Sequence, residues 1–70
     1  MKMIIHADDP LDALTAARAI KSATDRNPNM MEGDMTNVHY TFLGGSEITV
    51  GIRKNKASIT AWVSKPDAVS

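Results

Sequence analysis

The chain has 70 residues, no cysteine and a formal net charge of zero. This length gives one domain with a small core, and the lack of cysteine excludes disulfide bridges and cysteine zinc sites. The neutral balance disfavours a strong nucleic-acid binder, and no apolar run approaches the ~20 residues of a membrane-spanning helix, so we expect no membrane partner.

The first predicted elements are a short strand and a helix. Residues 3–6 (Met-Ile-Ile-His) are typical of a strand, and the Asp-Asp-Pro sequence that follows suits a helix start, with Asp9 as N-cap and Pro10 at the first helical position. Apolar residues then recur at spacings of three and four, which predicts an amphipathic helix from Leu11 to about Ala23. We expect an inner face of Ala13, Leu14, Ala16, Ala17, Ile20 and Ala23, and an outer face of Asp12, Thr15, Arg18 and Ser22.

Residues 25–37 show no period and contain the turn-forming sequences Asn-Pro-Asn and Glu-Gly-Asp, which predict a long loop. This segment holds Met30, Met31 and Met35, three of the five methionines of the chain. The plain interpretation is that one or two of them cover the edge of the core. The alternative is a recognition loop, because flexible methionine side chains suit adaptable binding surfaces.

Residues 38–63 predict three antiparallel strands joined by two tight turns. For the first turn we favour three residues, 43–45, with Gly45 in a left-handed conformation, because Tyr40 then pairs with Ile48 and the apolar residues share one face. A two-residue Gly-Gly turn would instead leave Tyr40 and Phe42 on the same face as Trp62, forming an uncovered aromatic surface.

For the second turn we predict a two-residue reversal at Lys54 and Asn55. Ile52 then faces Ala57, and Val50 faces Ile59, on the apolar side of the sheet. The opposite side of this hairpin carries polar residues and the single tryptophan of the chain; they are Thr49, Gly51, Ser58, Thr60 and Trp62.

These elements predict an α+β fold of order β-α-β-β-β, in which one amphipathic helix packs on a small, mainly antiparallel sheet. Residues 1–64 form the single domain, and residues 65–70 form a flexible tail. The position of the first strand in the sheet is left open by the sequence.

Catalytic motifs are missing from the sequence, which has no Gly-x-Ser-x-Gly elbow and no phosphate-binding loop, so we predict a protein that is not an enzyme and needs no cofactor. His6, Asp8 and Asp9 carry side chains that bind divalent metals. Helix capping and an exposed loop explain the two aspartates equally well, and we therefore predict no metal site.

A basic cluster of Arg53, Lys54 and Lys56 is predicted at the second hairpin. The plain interpretation is a solvated turn whose lysines discourage edge pairing. The functional alternative is a nucleic-acid-binding regulator that inserts this hairpin into a groove.

The leading hypothesis is a small, non-catalytic, cytoplasmic module that binds a protein partner through an open sheet face and forms a homodimer. Small phage and mobile-element proteins that block host machinery are commonly of this size, so an inhibitor or adaptor of viral or mobile-element type is the hypothesis. Trp62 is the main candidate, because tryptophan is enriched among residues that dominate binding energy. The predicted interface consists of Trp62, Thr60, Thr49, Tyr40, Met30 and Met31.

Overall fold

In a computed structural model, which describes residues 2–65, one helix packs on one face of a four-stranded mixed sheet. The elements are β1 (Lys2–His6), α1 (Pro10–Arg26), β2 (Met35–Thr41), β3 (Glu47–Lys54) and β4 (Ser58–Ser64). The predicted α+β fold of order β-α-β-β-β is confirmed. Residues 66–70 of the predicted tail lie outside the described residues.

β1 occupies one edge of the sheet, whose strand order is β1-β4-β3-β2. It runs parallel to β4, with Met3 opposite Ile59 and Ile5 opposite Ala61, whereas β2, β3 and β4 pair antiparallel in chain order. The helix and the β2–β3 hairpin therefore separate two strands that become neighbours, which is why local sequence pattern did not reveal this pairing.

The start of α1 follows the prediction. The carboxylate of Asp9 accepts a hydrogen bond from the backbone N–H of Asp12 at 2.9 Å, and Pro10 is the first helical residue. The helix continues to Arg26, three residues beyond the predicted end.

The predicted inner face of α1 was partly wrong. Leu14 is 50% exposed, whereas Ala19 and Asp12, which were not assigned to this face, are 0% and 5% exposed. Asp12 faces inward because the ammonium of Lys65 lies 2.7 Å from its carboxylate and offsets the cost of burying the charge. The buried residues of the helix are Asp12, Ala16, Ala19, Ile20 and Ala23.

The first hairpin has the predicted three-residue turn. Tyr40 pairs with Ile48 and Val38 with Val50, as expected for this turn. The backbone N–H of Phe42 donates to Ser46 O at 2.9 Å, and Gly45 has a φ of +86°, the left-handed conformation that glycine adopts without strain.

The second hairpin turns two residues later than predicted. The Asn55 N–H donates to Ser58 O at 2.8 Å, so Lys56 and Ala57 form the turn. Ile52 pairs with Ala61 rather than Ala57, and Val50 pairs with Val63 rather than Ile59. The partner of each β3 residue changes by an even number of positions, so each face of the hairpin keeps the residues predicted for it. The later turn also places Val63 against the core and leaves Ala57 exposed.

The predicted loop over residues 25–37 was too wide, because α1 and β2 extend into it from both ends. The connection spans residues 27–34 and is hydrogen-bonded to the end of β3: the Gly33 N–H donates to Lys54 O at 2.8 Å, and the Lys54 N–H donates to Asp34 O at 2.9 Å. Met30 packs against the core, while Met31 is 71% exposed. Core covering by a methionine is thus confirmed for one of the three.

The core lies between α1 and the sheet. Ile52, Ile59 and Val50 are its largest fully buried side chains, and the alanines of the helix face them. Because alanine is small, the helix backbone can approach the sheet closely. Among residues 2–65, no helix is long and apolar enough to cross a membrane.

Candidate binding face

The side of the sheet that α1 leaves uncovered, called the open face below, is the candidate functional site. It carries the even-numbered residues of β1 and β4 and the odd-numbered residues of β2 and β3, since alternate side chains of a strand point to opposite sides. One row across its middle consists of His6, Trp62, Gly51 and Asn37, each opposite the next on the neighbouring strand.

Trp62 lies on the open face, as predicted, and is 39% exposed. Its indole stacks on the imidazole of His6, with ring centroids 5.8 Å apart and an angle of 7° between the planes. This role for His6 was not predicted from the sequence, because the two rings meet only through the parallel pairing of β1 with β4. The stack leaves the indole in a defined orientation with an accessible surface.

Gly51 is next to Trp62 in the same row, on the side away from His6. Its backbone does not require glycine, because the positive φ angles belong to Gly33 and Gly45. A Cβ built at Gly51 would meet the Asn37 side-chain oxygen at 3.4 Å, which is an ordinary contact distance. The open face therefore has a position without a side chain beside its tryptophan, and the fold does not explain it.

Two threonines of the predicted interface lie on the open face and make side-chain hydrogen bonds. The Thr49 hydroxyl lies 3.0 Å from Nδ1 of His39. The Thr60 hydroxyl accepts from the Asn55 side-chain amide at 2.8 Å and is part of a residue that is only 8% exposed. Of the two threonines in the predicted interface, Thr49 is accessible in part, whereas Thr60 is fixed within the hairpin.

The charge of the open face is low and mainly positive near its centre. The four side-chain neighbours of Gly51 on this face are Trp62, Asn37, Thr49 and Arg53. Arg53 is the one charged group among them, and it is exposed. A ligand above Gly51 would thus meet an aromatic ring, an amide, a hydroxyl and a guanidinium.

The remaining predicted interface residues lie elsewhere. Tyr40 is on the helix side of β2, where it packs against the core, so the alternative of a joint aromatic face with Phe42 and Trp62 is wrong. Met30 and Met31 belong to the 27–34 loop rather than to the open face.

The three basic residues do not form one cluster. Arg53 is exposed on the open face, but Lys54 is on the opposite side, where its ammonium donates to the Asn55 carbonyl at 2.6 Å. Lys56 is exposed in the turn. A nucleic acid that contacts Arg53 would therefore meet Trp62 before Lys54.

A second concave region lies where β1 and β4 end beside the start of α1. This cleft of about 680 Å³ is lined by Ile5, His6, Ala7, Asp8, Asp12, Trp62, Val63 and Lys65. The hydrogen bond that Lys65 donates to the Asp12 carboxylate, together with the charges of the nearby carboxylates, raises the pKa of Lys65. The backbone N–H of Asp12 lowers the pKa of Asp9. Within residues 2–65, no three potential metal ligands converge, at His6, Asp8 and Asp9 or elsewhere.

Comparison with known proteins identifies no family. No protein-family model, no curated protein and no solved structure matches this chain. The function must therefore be inferred from the open face and its chemistry.

Proposed function

We propose that this protein is a non-catalytic binding module that recognises a partner protein through its open face. The main support is the exposure of Trp62 on a sheet face that no other element covers within residues 2–65. Tryptophan is enriched among the residues that dominate binding energy. Because His6 already holds the indole in a stack, binding costs less side-chain entropy than for a mobile ring.

The proposed module is an inhibitor or adaptor of the kind that phages and mobile elements encode, and it acts in the cytoplasm. Its fold contains no cysteine and so does not depend on disulfides, which suits a reducing compartment. A neutral chain of this size offers a compact surface to one partner, rather than a pocket that encloses a substrate.

We also propose that the chain forms a homodimer through β1. This edge strand carries Met3, which is 51% exposed, and the half-buried Ile4 and Ile5. An apolar edge strand is a template for further strand pairing. An antiparallel pair centred on Ile4 would set Met3 against the partner's Ile5, so the strand is complementary to itself.

The proposed protein binding is tested by capture from a nuclease-treated host lysate with tagged wild type, Trp62→Ala and Leu43→Ala. Leu43 is a matched control, because it is a fully exposed apolar residue in the first hairpin turn, away from the open face. We expect Trp62→Ala to weaken binding of the captured protein by about 2 kcal/mol or more, roughly 30-fold, and Leu43→Ala to bind like wild type. Equal binding by all three proteins would refute a role for the open face.

A single-stranded nucleic acid is the second candidate ligand. The observation in its favour is that Arg53 and Trp62 share the open face, which would allow contact with a phosphate and stacking of a base. This candidate predicts affinity that falls steeply with salt and capture that disappears after nuclease treatment. Salt-insensitive capture that survives nuclease would remove it.

A further inference from the structure

We propose that the position above Gly51 is a receptor site for one aromatic side chain of the partner protein, flanked in the partner by a carboxylate. This inference rests on the proposed function and specifies the chemistry of recognition at the open face. Its basis is the row formed by Trp62, Gly51 and Asn37 in the middle of the sheet.

The first argument is that Gly51 has no local reason to be glycine. It lies inside β3, a central strand, where glycine loses more conformational entropy on folding than alanine and has no side chain to pack. Its φ is not in the left-handed region, and a Cβ would make only an ordinary contact with Asn37. Glycine inside a strand often marks a close approach by a ligand or another backbone.

The second argument is the direction of the aromatic stack. His6 contacts the indole of Trp62 from the β1 side of β4. The other face of the indole is therefore directed toward β3, where Gly51 contributes no side chain. A planar ring placed above Gly51 would extend the stack of His6 and Trp62 by one member, and aromatic pairs of this kind are favourable beyond their buried area.

The third argument concerns charge and selects a protein as the occupant. Arg53 is two residues from Gly51 on the same face and is exposed, so its guanidinium can form a bidentate pair with a carboxylate. Nucleic-acid affinity depends on neutralising several phosphates, and this chain has a net charge of zero. One guanidinium beside one stacking site fits an aromatic residue with an adjacent acid better than it fits a phosphate chain.

The test is a titration with short capped peptides, with Trp62 as the reporter. Because the chain has one tryptophan, its fluorescence reports on ligands that approach Trp62. NMR of the Gly51 amide detects the ring current of a stacked aromatic group and separates this site from the cleft that Trp62 also lines. The probes are Asp-Phe-Asp, Asp-Leu-Asp and Lys-Phe-Lys peptides, together with oligothymidine. We expect Asp-Phe-Asp to bind tightest and to shift the Gly51 amide.

The variants are Gly51→Val, which fills the site, and Thr41→Val, which places the same side chain on the open face near the end of β2 without adding volume there. We expect Gly51→Val to weaken binding of Asp-Phe-Asp by about tenfold or more, and Thr41→Val to bind it like wild type. Arg53→Gln should remove the preference for Asp-Phe-Asp over Lys-Phe-Lys. If Gly51→Val does not fold, Gly51→Ala takes its place, because its Cβ would meet only the Asn37 side-chain oxygen, at 3.4 Å.

Several results would overturn the proposal. They are equal binding of the phenylalanine and leucine peptides, unchanged binding by the folded Gly51 variant, no shift with any peptide at millimolar concentration, or tighter binding of oligothymidine.

Lysate capture separates this failure from failure of the proposed function. If Trp62→Ala loses the partner and Gly51→Val keeps it, the open face binds without an inserted ring. If both variants keep the partner, the open face is not the binding surface.

Discussion

At the start of α1, two carboxylates one helical turn apart have different roles. Asp9 remains outside and accepts the Asp12 N–H, which satisfies one of the unpaired donors of the first turn. Asp12 turns inward and binds Lys65, the residue that follows β4. This pair connects the end of the last strand to the beginning of the helix, and both of its residues line the cleft that His6 and Trp62 also line.

Asp9→Asn should reduce the dependence of stability on acid pH. The pKa of Asp9 is lowered from 3.8, mainly by the backbone N–H of Asp12, so its contribution is present above pH 3.8 and is lost as the pH falls through the lower folded pKa. Asparagine caps helices as well as aspartate but does not titrate. Urea unfolding at about pH 7 and at several pH values below 3.8 should show a steeper loss for wild type. If the free energy of unfolding falls with pH to the same extent in both proteins, the lowered pKa of Asp9 does not contribute to stability.

The helix α1 was predicted at the correct place in the sequence, but with the wrong face turned toward the sheet. The residues expected inside included Leu14, whereas the buried stripe runs through Asp12, Ala16 and Ala19. Periodicity alone favoured the bulkier apolar residue. The buried face of the helix consists mainly of alanine because Val50, Ile52 and Ile59 of the sheet occupy most of the space between the two layers. The space available above the sheet decided which face of α1 was buried.

Ala19→Leu and Leu14→Ala distinguish the observed rotation from the expected one. Ala19 is 0% exposed against the sheet, so the larger side chain should lower the free energy of unfolding by about 1–3 kcal/mol. Leu14 is half exposed, and its truncation should change stability by less than about 0.5 kcal/mol. Chemical denaturation of both variants measures these differences. A larger loss for Leu14→Ala than for Ala19→Leu would show that the helix is rotated as the sequence pattern suggested.

In the second hairpin, the turn predicted from local residue preference is not the turn that strand pairing selects. Lys54 and Asn55 were expected to turn, but Asn55 instead uses its side chain to bind the hydroxyls of Ser58 and Thr60 across the reversal. The later turn aligns Val63 with Val50 in the core. Because the shift preserves which face each residue occupies, the prediction that Trp62 points away from the helix was correct despite the wrong register.

For the whole molecule, the two sheet edges differ in character. β1 presents the consecutive apolar residues Met3, Ile4 and Ile5 at one edge. β2 at the other edge has no two apolar residues in succession and carries Asn37, His39 and Thr41 beside the exposed Met35 on the open face. An apolar edge is more prone to pair with another chain. The proposed dimer would extend the sheet across two copies and leave both Gly51 sites accessible.

Single cysteines can test this dimer cleanly, since the chain has none of its own. In an antiparallel pair centred on Ile4, the two Cα atoms of this residue would lie about 4.5–5.5 Å apart, within reach of a disulfide. We expect Ile4→Cys to form a cross-linked dimer under mild oxidation. Lys2→Cys should not, because the two copies of residue 2 would be about 13 Å apart. Equal cross-linking of both variants, or a monomer in sedimentation of wild type, would contradict the proposed dimer.

Local sequence determined the elements of this protein and much of their chemistry. The Asp9–Pro10 helix start, the Gly45 turn and the alternation around Val50 each depend on residues close together in the chain, so their physical preferences are visible in the sequence. The same alternation predicted that Trp62 is exposed on the side of the sheet away from the helix. That prediction made the open face the candidate site.

Only the tertiary structure decided the features that depend on distant residues. It placed β1 beside β4, stacked His6 on Trp62, turned Asp12 inward to Lys65, and put Gly51 between Trp62 and Asn37. The first three of these contacts join segments far apart in the sequence and are selected by packing across the whole sheet rather than by local propensity. The fourth lies within the two hairpins, where pairing across the sheet moved the second turn and set Trp62 opposite Gly51. The candidate receptor site at Gly51 therefore depends on the register of the second hairpin and, through His6, on the strand order that brings β1 beside β4.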